Sequence, residues 1–191
     1  MPETLGRNEE DPGVNRPEIG WLRGDILTVP AATLLTCLNT HRNWGGAIDM
    51  ALVTAHGPGF HRVADHEIAI LGLTDGDTCF IPSHKNSFTP QRRPVFQAVT
   101  FIIDDFQKPL DVIVQAGLWR ADQEGCETVS IPLLRTGAAQ GRYETAEEAV
   151  MALGMGIEAF AAANPTSVKK ITIVVFPGSQ EEQSLPRHLL S

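Results

Sequence analysis

Positive charge is in short supply in this sequence. Fifteen Lys and Arg stand against 23 Asp and Glu, a formal net charge of −8. Broad nucleic-acid surfaces neutralise phosphates with clustered cations, so that function class is not expected. One small anionic ligand is still allowed, because backbone amides bind phosphate without formal charge. Cysteine is scarce too. Cys37, Cys79 and Cys126 are odd in number and far apart, with no CxxC and no Cys/His spacing for a metal. Reduced thiols are therefore expected rather than a disulfide framework. No window reaches the ~18 consecutive apolar residues of a membrane span. The opening MPETLGRNEEDPGVNRPE has no apolar core of the length a secretory leader needs, so a cytoplasmic location is expected. The histidines form no HExxH and no Ser/His/Asp pattern, which assigns His41, His56, His61, His66 and His84 to surface or core.

What is present is the composition of a globular chain: 191 residues, 42% hydrophobic and 20% charged, enough for one domain with a substantial core. Residues 1–17 are polar and rich in Pro and Gly and read as a flexible arm. Residues 178–191 read as a polar tail. One domain is expected over 18–177. Within it, Trp21–Leu27 reads as a strand running into Gly24-Asp25, and 31–39 as a second strand. A helix is expected over Gly46–His56, where Ile48, Leu52 and Ala55 recur at helical spacing and Gly57-Pro58 stops it. Segments 67–73 and 78–82 flank the turn signal Thr74–Asp77, which predicts a hairpin. A strand over 95–103, where a helix is also open, a helix from Pro109 into Asp122 and strand 128–134 follow. Thr145-Ala-Glu-Glu148 is a capping-box pattern opening a helix over 145–163, and Lys170–Phe176 reads as a last buried strand. Such alternation predicts an α/β fold with a mainly parallel sheet.

In sheets of this kind ligands collect beyond the carboxyl ends of the strands. The unusual residues of this chain lie there. Arg135-Thr-Gly-Ala-Ala-Gln-Gly141 joins a buried strand to the capped helix, and its glycines and small side chains suit a phosphate-binding nest of amides. Asn39-Thr-His-Arg-Asn-Trp-Gly-Gly-Ala-Ile-Asp49 offers a second nest at Trp44–Ala47, again at a helix start. Two facing nests can clasp a diphosphate. Asn39 suits a ribose hydroxyl pair, and Asp49, one turn into its helix, can orient or activate water. Singly, each piece has a plainer meaning. Glycine-bearing turns are common, and Asp49 also complements the helix macrodipole, worth ~0.3–1 kcal/mol. Asp25 can accept from an exocyclic amine or cap a turn, and Phe176 can stack on a base or fill the core.

Taken in order, the set resembles the macrodomain family, which binds ADP-ribose. The resemblance rests on Gly24-Asp25-Ile26, on Leu38-Asn39 followed by Gly45-Gly46-Ala47-Ile48-Asp49, on Ile131-Pro132 with Thr136-Gly137 and Gly141, and on Ile173–Phe176. It implies a three-layer α/β/α fold with a mixed, mainly parallel sheet. It also implies ADP-ribose or an ADP-ribosylated substrate as the partner, with no cofactor and no metal. Asp25 would receive the adenine amine, Ile26 would offer its backbone amide, and Phe176 would lie against the base. Gly45, Gly46 and Ala47 would form one diphosphate nest, and Thr136, Gly137, Ala138, Ala139 and Gly141 the other. Asn39 would hold the distal ribose, and Asp49 would match the catalytic carboxylate of the family's hydrolases. These hydrolases remove ADP-ribose from acidic side chains or deacetylate O-acetyl-ADP-ribose. The pattern also departs from the family's. Thr36 replaces the first amide of Asn-Ala-Ala-Asn, and Trp44 stands in a glycine run. Arg135 replaces the serine of Ser-Thr-Gly, and the aromatic after it is missing, with Tyr143 nearby. Two functions follow: a hydrolase of ADP-ribosyl linkages, or a non-catalytic reader of ADP-ribose or a related NAD-derived metabolite.

Overall fold

The structure, a computed structural model, describes residues 15–41, 46–56, 59–82, 96–136, 145–179 and 182–183. Among them are six strands and four α-helices, plus one turn of 3-10 helix at Ile26–Thr28. The strands are β1 (Glu18–Arg23), β2 (Ala31–Leu38), β3 (Thr78–Pro82), β4 (Phe96–Ile103), β5 (Thr128–Pro132) and β6 (Lys170–Val175). The helices are α1 (Ala47–His56), α2 (Gly59–Leu71), α3 (Leu110–Gln123) and α4 (Ala146–Ala162).

The strands form one sheet in the order β1-β6-β5-β2-β4-β3. All neighbours are parallel except β3, which runs antiparallel to β4 at one edge. Both faces are covered, as a parallel sheet requires. Side chains alternate across a strand, so adjacent residues of β2 enter different cores. Leu35 packs with Ile113, Val114, Leu153 and Phe160 of α3 and α4. Leu34 packs with Leu52, Ala64 and Ile68 of α1 and α2. The result is three layers, α3 and α4 on one face and α1 and α2 on the other, in the α/β/α arrangement expected. The α3–α4 contact is so close that a Cβ at Gly156 would lie 2.6 Å from the Asp111 carbonyl oxygen. Inside the sheet the buried Thr33 and Thr100 hydroxyls pair with each other, 2.9 Å apart between β2 and β4.

The capping box of α4 forms as the sequence indicates. Thr145 Oγ1 accepts from the Glu148 amide, and the Glu148 carboxylate accepts from the Thr145 amide at 2.7 Å. The hairpin expected from 67–73 and 78–82 does not form. Residues 67–71 end α2, and only 78–82 is a strand. The helix stops where Gly72 takes φ +61° and Leu73 N–H bonds to the Ile68 carbonyl, a left-handed C-cap. The Thr74–Asp77 turn does form, with Asp77 N–H bonded to the Thr74 carbonyl, but it joins a helix to a strand. The first strand also ends sooner than expected, at Arg23, because Ile26–Thr28 coils into the 3-10 turn. None of the described helices is long and apolar enough to cross a membrane.

Candidate functional site

Five neighbouring strands are parallel, so their carboxyl ends share one edge of the sheet. Read in sheet order, that edge presents Asp25 after β1, Phe176 after β6, Leu133–Thr136 after β5, Asn39 after β2 and Asp104 after β4. Strands lie ~4.8 Å apart, so the distance from the end of β1 to the end of β2 is about 14 Å. An elongated ligand fits such an edge better than a compact one.

One end of the edge is a cleft of about 280 Å³, lined by Gly24–Ile26, Ile48, Ala51, Pro132, Leu133, Val174–Phe176 and Ser179. The chain builds it from short-range bonds. Gly24 N–H bonds to the Val175 carbonyl at 2.9 Å, which sets Asp25 beside Phe176. Asp25 Oδ1 accepts from Leu27 N–H at 3.0 Å, fixing the carboxylate at the head of the 3-10 turn. This is the turn-capping role open from the sequence, and it leaves Oδ2 for other work. Phe176 is not core: it is 61% exposed at the mouth of the cleft, a flat apolar face available to an aromatic ring.

Asp49 sits on the first turn of α1, immediately after Ile48. It does not line the cleft just described. Its carboxylate reaches back to the Gly46 amide, and a Cβ at residue 46 would stand 3.0 Å from Oδ2. Glycine is what lets that backbone come so close. Oδ1 is buried with no hydrogen-bond partner among the described residues. Burial raises the Asp49 carboxyl from 3.8 to about 6, opposed by the Gly46 hydrogen bond. His61 Nε2 of α2 lies 3.8 Å from Oδ1, and both side chains are largely withdrawn from solvent. Burial depresses the His61 imidazole, against the raising field of Asp65.

Sequence reasoning assigned His61 to surface or core and missed this pairing. The signal was there. Once 59–71 is read as a helix, His61, Ala64 and Ile68 fall at i, i+3 and i+7 on its inward face.

At the β4 end a buried network braces the Asn39 loop. Asp105 accepts from the Thr40 amide at 2.9 Å and from its hydroxyl at 2.7 Å. Asp75 accepts from the Asp105 amide. Arg135 leaves β5 in a left-handed backbone conformation, φ +59°. Its guanidinium folds back onto both oxygens of Asp104, at 2.7 and 2.9 Å, and donates to the Lys108 carbonyl. The Phe106 ring lies 5.0 Å from its centre. Arg135 is therefore a strut between the end of β5 and the segment after β4, and it does not line the cleft described above. Thr136 is likewise buried, its hydroxyl donating to the Leu133 carbonyl at 3.0 Å. The Cys37 thiol lies near this network and is pushed far up by burial and by Asp104, so it stays protonated.

The structure thus brings Asp25, Ile26 and Phe176 together in one cleft. It sets Asn39, Gly46, Ala47, Asp49 and Thr136 along the same edge of the sheet. Gly45, Gly137, Ala138, Ala139 and Gly141 lie outside the described residues, as do Trp44 and Tyr143.

No protein-family model matches the chain, and no curated protein matches its sequence. Solved structures match its shape. A mutant of the Oceanobacillus iheyensis macrodomain has 17% sequence identity and a TM-score of 0.73, with 93% of each chain covered. A Trypanosoma brucei macrodomain in complex with ADP-ribose has 15% identity and a TM-score of 0.66, over 87% of this chain and 66% of that one. The macrodomain of Thermus aquaticus DarG has 13% identity and a TM-score of 0.59, over 83% and 98%. The chain has the macrodomain fold.

Proposed function

We propose that this protein binds ADP-ribose along the carboxyl edge of its sheet and hydrolyses an ADP-ribosyl linkage without a metal. The base lies in the cleft between Asp25 and Phe176, the diphosphate crosses the glycine-bearing loops, and the distal ribose reaches Asn39. Support for the ligand comes from the cleft itself and from the macrodomains of the same fold solved with ADP-ribose and with ADP.

The observation that carries the hydrolytic step is Asp49, a buried carboxylate at the start of α1 raised to about 6. A carboxylate of that strength is still ionised at pH 7, yet is a better proton acceptor than a solvated one. Water held by Asp49 and a ligand phosphate attacks the scissile ester or the distal ribose carbon. The proton passes to Asp49, the C–O bond breaks, and the leaving oxygen carries away the electron pair. Amides of the loops hold the diphosphate and set the angle of attack.

Asp49→Ala tests the step. ADP-ribose should still bind, measured by calorimetry, while release of ADP-ribose from modified protein is lost. Unchanged turnover rejects the role.

A second reading is a reader that binds without turnover. It is favoured by one observation: Asp49 does not line the described cleft, although Ile48 and Ala51 on the same helix do. Binding with no product after long incubation of the wild-type protein would decide for it.

A further inference from the structure

Two buried titratable groups from different helices meet at the start of α1. Asp49 Oδ2 is engaged by the Gly46 amide, and Oδ1, buried and with no hydrogen-bond partner among the described residues, faces His61 Nε2 at 3.8 Å. A buried carboxylate oxygen needs a donor, since leaving it unmade costs more than the bond itself returns. Among the described residues, the basic group within 4 Å of it is the imidazole. The gap exceeds hydrogen-bond length by less than 1 Å, and a small rotation of the carboxylate or the ring closes it. Carboxylate–imidazole pairs of this kind are often long before substrate tightens them.

We propose that His61 is a positioning residue for Asp49, its imidazole and the Asp49 carboxylate holding a single proton between them. This rests on the reading of Asp49 as the group that activates water. The partnership has a division of labour. The Gly46 amide fixes one oxygen, His61 Nε2 fixes the other, and the plane of the carboxylate is thereby set toward the sheet edge. Asp65, one turn further along α2, faces the imidazole and favours its charged form. On the β2 side the Cys37 thiol feels Asp49 but remains neutral. With Asp49 raised and His61 lowered, the two states with one proton, carboxylic acid beside imidazole and carboxylate beside imidazolium, lie closer in energy than they do in water. When water gives its proton to Asp49, His61 Nε2–H goes on donating to Oδ1 and holds the carboxyl group in place, and the proton then leaves Asp49 for solvent or for the leaving oxygen.

The pair can be read without turnover. Nitrogen-15 NMR of the full-length protein follows the His61 imidazole against pH, in wild type and in Asp49→Asn. Loss of an opposite charge at this distance should lower the His61 midpoint by about 1 pH unit or more. An unchanged midpoint overturns the proposal.

The second arm uses His61→Gln, which keeps a hydrogen-bond donor, and His61→Leu, which does not. ADP-ribose affinity should stay within about twofold in both. For hydrolysis, kcat should fall on the order of 10–100-fold in His61→Leu, less in His61→Gln, with the acid limb of the pH profile displaced in both. An identical pH profile and kcat overturns the proposal. If neither variant folds, the Asp49→Asn titration still decides. If wild type shows no turnover but the His61 midpoint moves, the pair stands and the hydrolase reading fails.

Discussion

Replacing Asp49 by Asn should make the protein more stable, and only above a defined pH. The folded-state carboxyl is raised to about 6 from 3.8. A group raised on folding contributes its stability below the unfolded value, and that contribution is lost as pH rises through the folded value. Each pH unit of displacement corresponds to ~1.4 kcal/mol, so ionised Asp49 costs the fold at most ~3 kcal/mol at pH 8. The side chain retains 13% exposure. Solvent screens part of the cost, and ~2 kcal/mol is the expected size. Asparagine keeps an oxygen for the Gly46 amide and has no charge to bury. The difference in stability between variant and wild type should therefore be flat below about pH 4, widen to about pH 6–7 and stay constant above. In a chain of this size that is a gain of ~4–8 °C in Tm at pH 8. His61, lowered on folding, contributes the opposite slope, stabilising above its unfolded value of 6.5 and weakening as pH falls, and a further lowering in the variant adds to the widening of the difference with rising pH. Paired urea and thermal melts from pH 4 to 8 measure the difference. Parallel curves across that range would refute the desolvation argument.

Arg135→Met strands the Asp104 carboxylate in a buried site, and a loss of ~3–5 kcal/mol in urea-melt stability is expected. Gly156→Ala drives a methyl group against the Asp111 backbone and should cost ~1–3 kcal/mol by the same measurement, through the α3–α4 contact. The Cys126 thiol, pushed up to about 11 by burial with help from Glu124, should resist iodoacetamide at pH 8 in the folded chain and react on denaturation, as read by mass spectrometry.

How much of this was legible in the sequence depends on the range of the interaction. The α4 boundaries were legible because Thr145 and Glu148 satisfy each other's amides within one turn, and Asn164-Pro165 ends the helix locally. β2, β4, β5 and β6 were legible because strands covered on both faces are continuous apolar runs. The segment 67–71 was misread. Ile68, Ile70 and Leu71 look like a strand next to a turn signal, and only His61 and Ala64, a turn or two earlier, show the helical period. That single misreading hid His61, because a histidine not placed on a helix face has no direction. The placement of Asp25, Asn39, Arg135 and Phe176 beyond the carboxyl ends of strands was also inferable, since each follows a strand. The order of those strands in the sheet was not. Nor was it inferable which of these residues face the ligand. Thr136 turns its hydroxyl into its own turn, and Arg135 folds back onto a carboxylate 31 residues earlier in the chain. Pairings of that range leave no periodicity to read.

The pairing of β1 with β6 has a bearing on how the protein comes into being. Glu18 sits opposite Lys170 and Arg23 opposite Val175, so the first strand has no neighbour until β6 has been made. A nascent or truncated chain ending before Lys170 can assemble the β5-β2-β4 centre, yet it has nothing to hold Gly24 and Asp25 in place. The Asp25 end of the edge is thus completed late in synthesis, and only a chain that extends through β6 carries it.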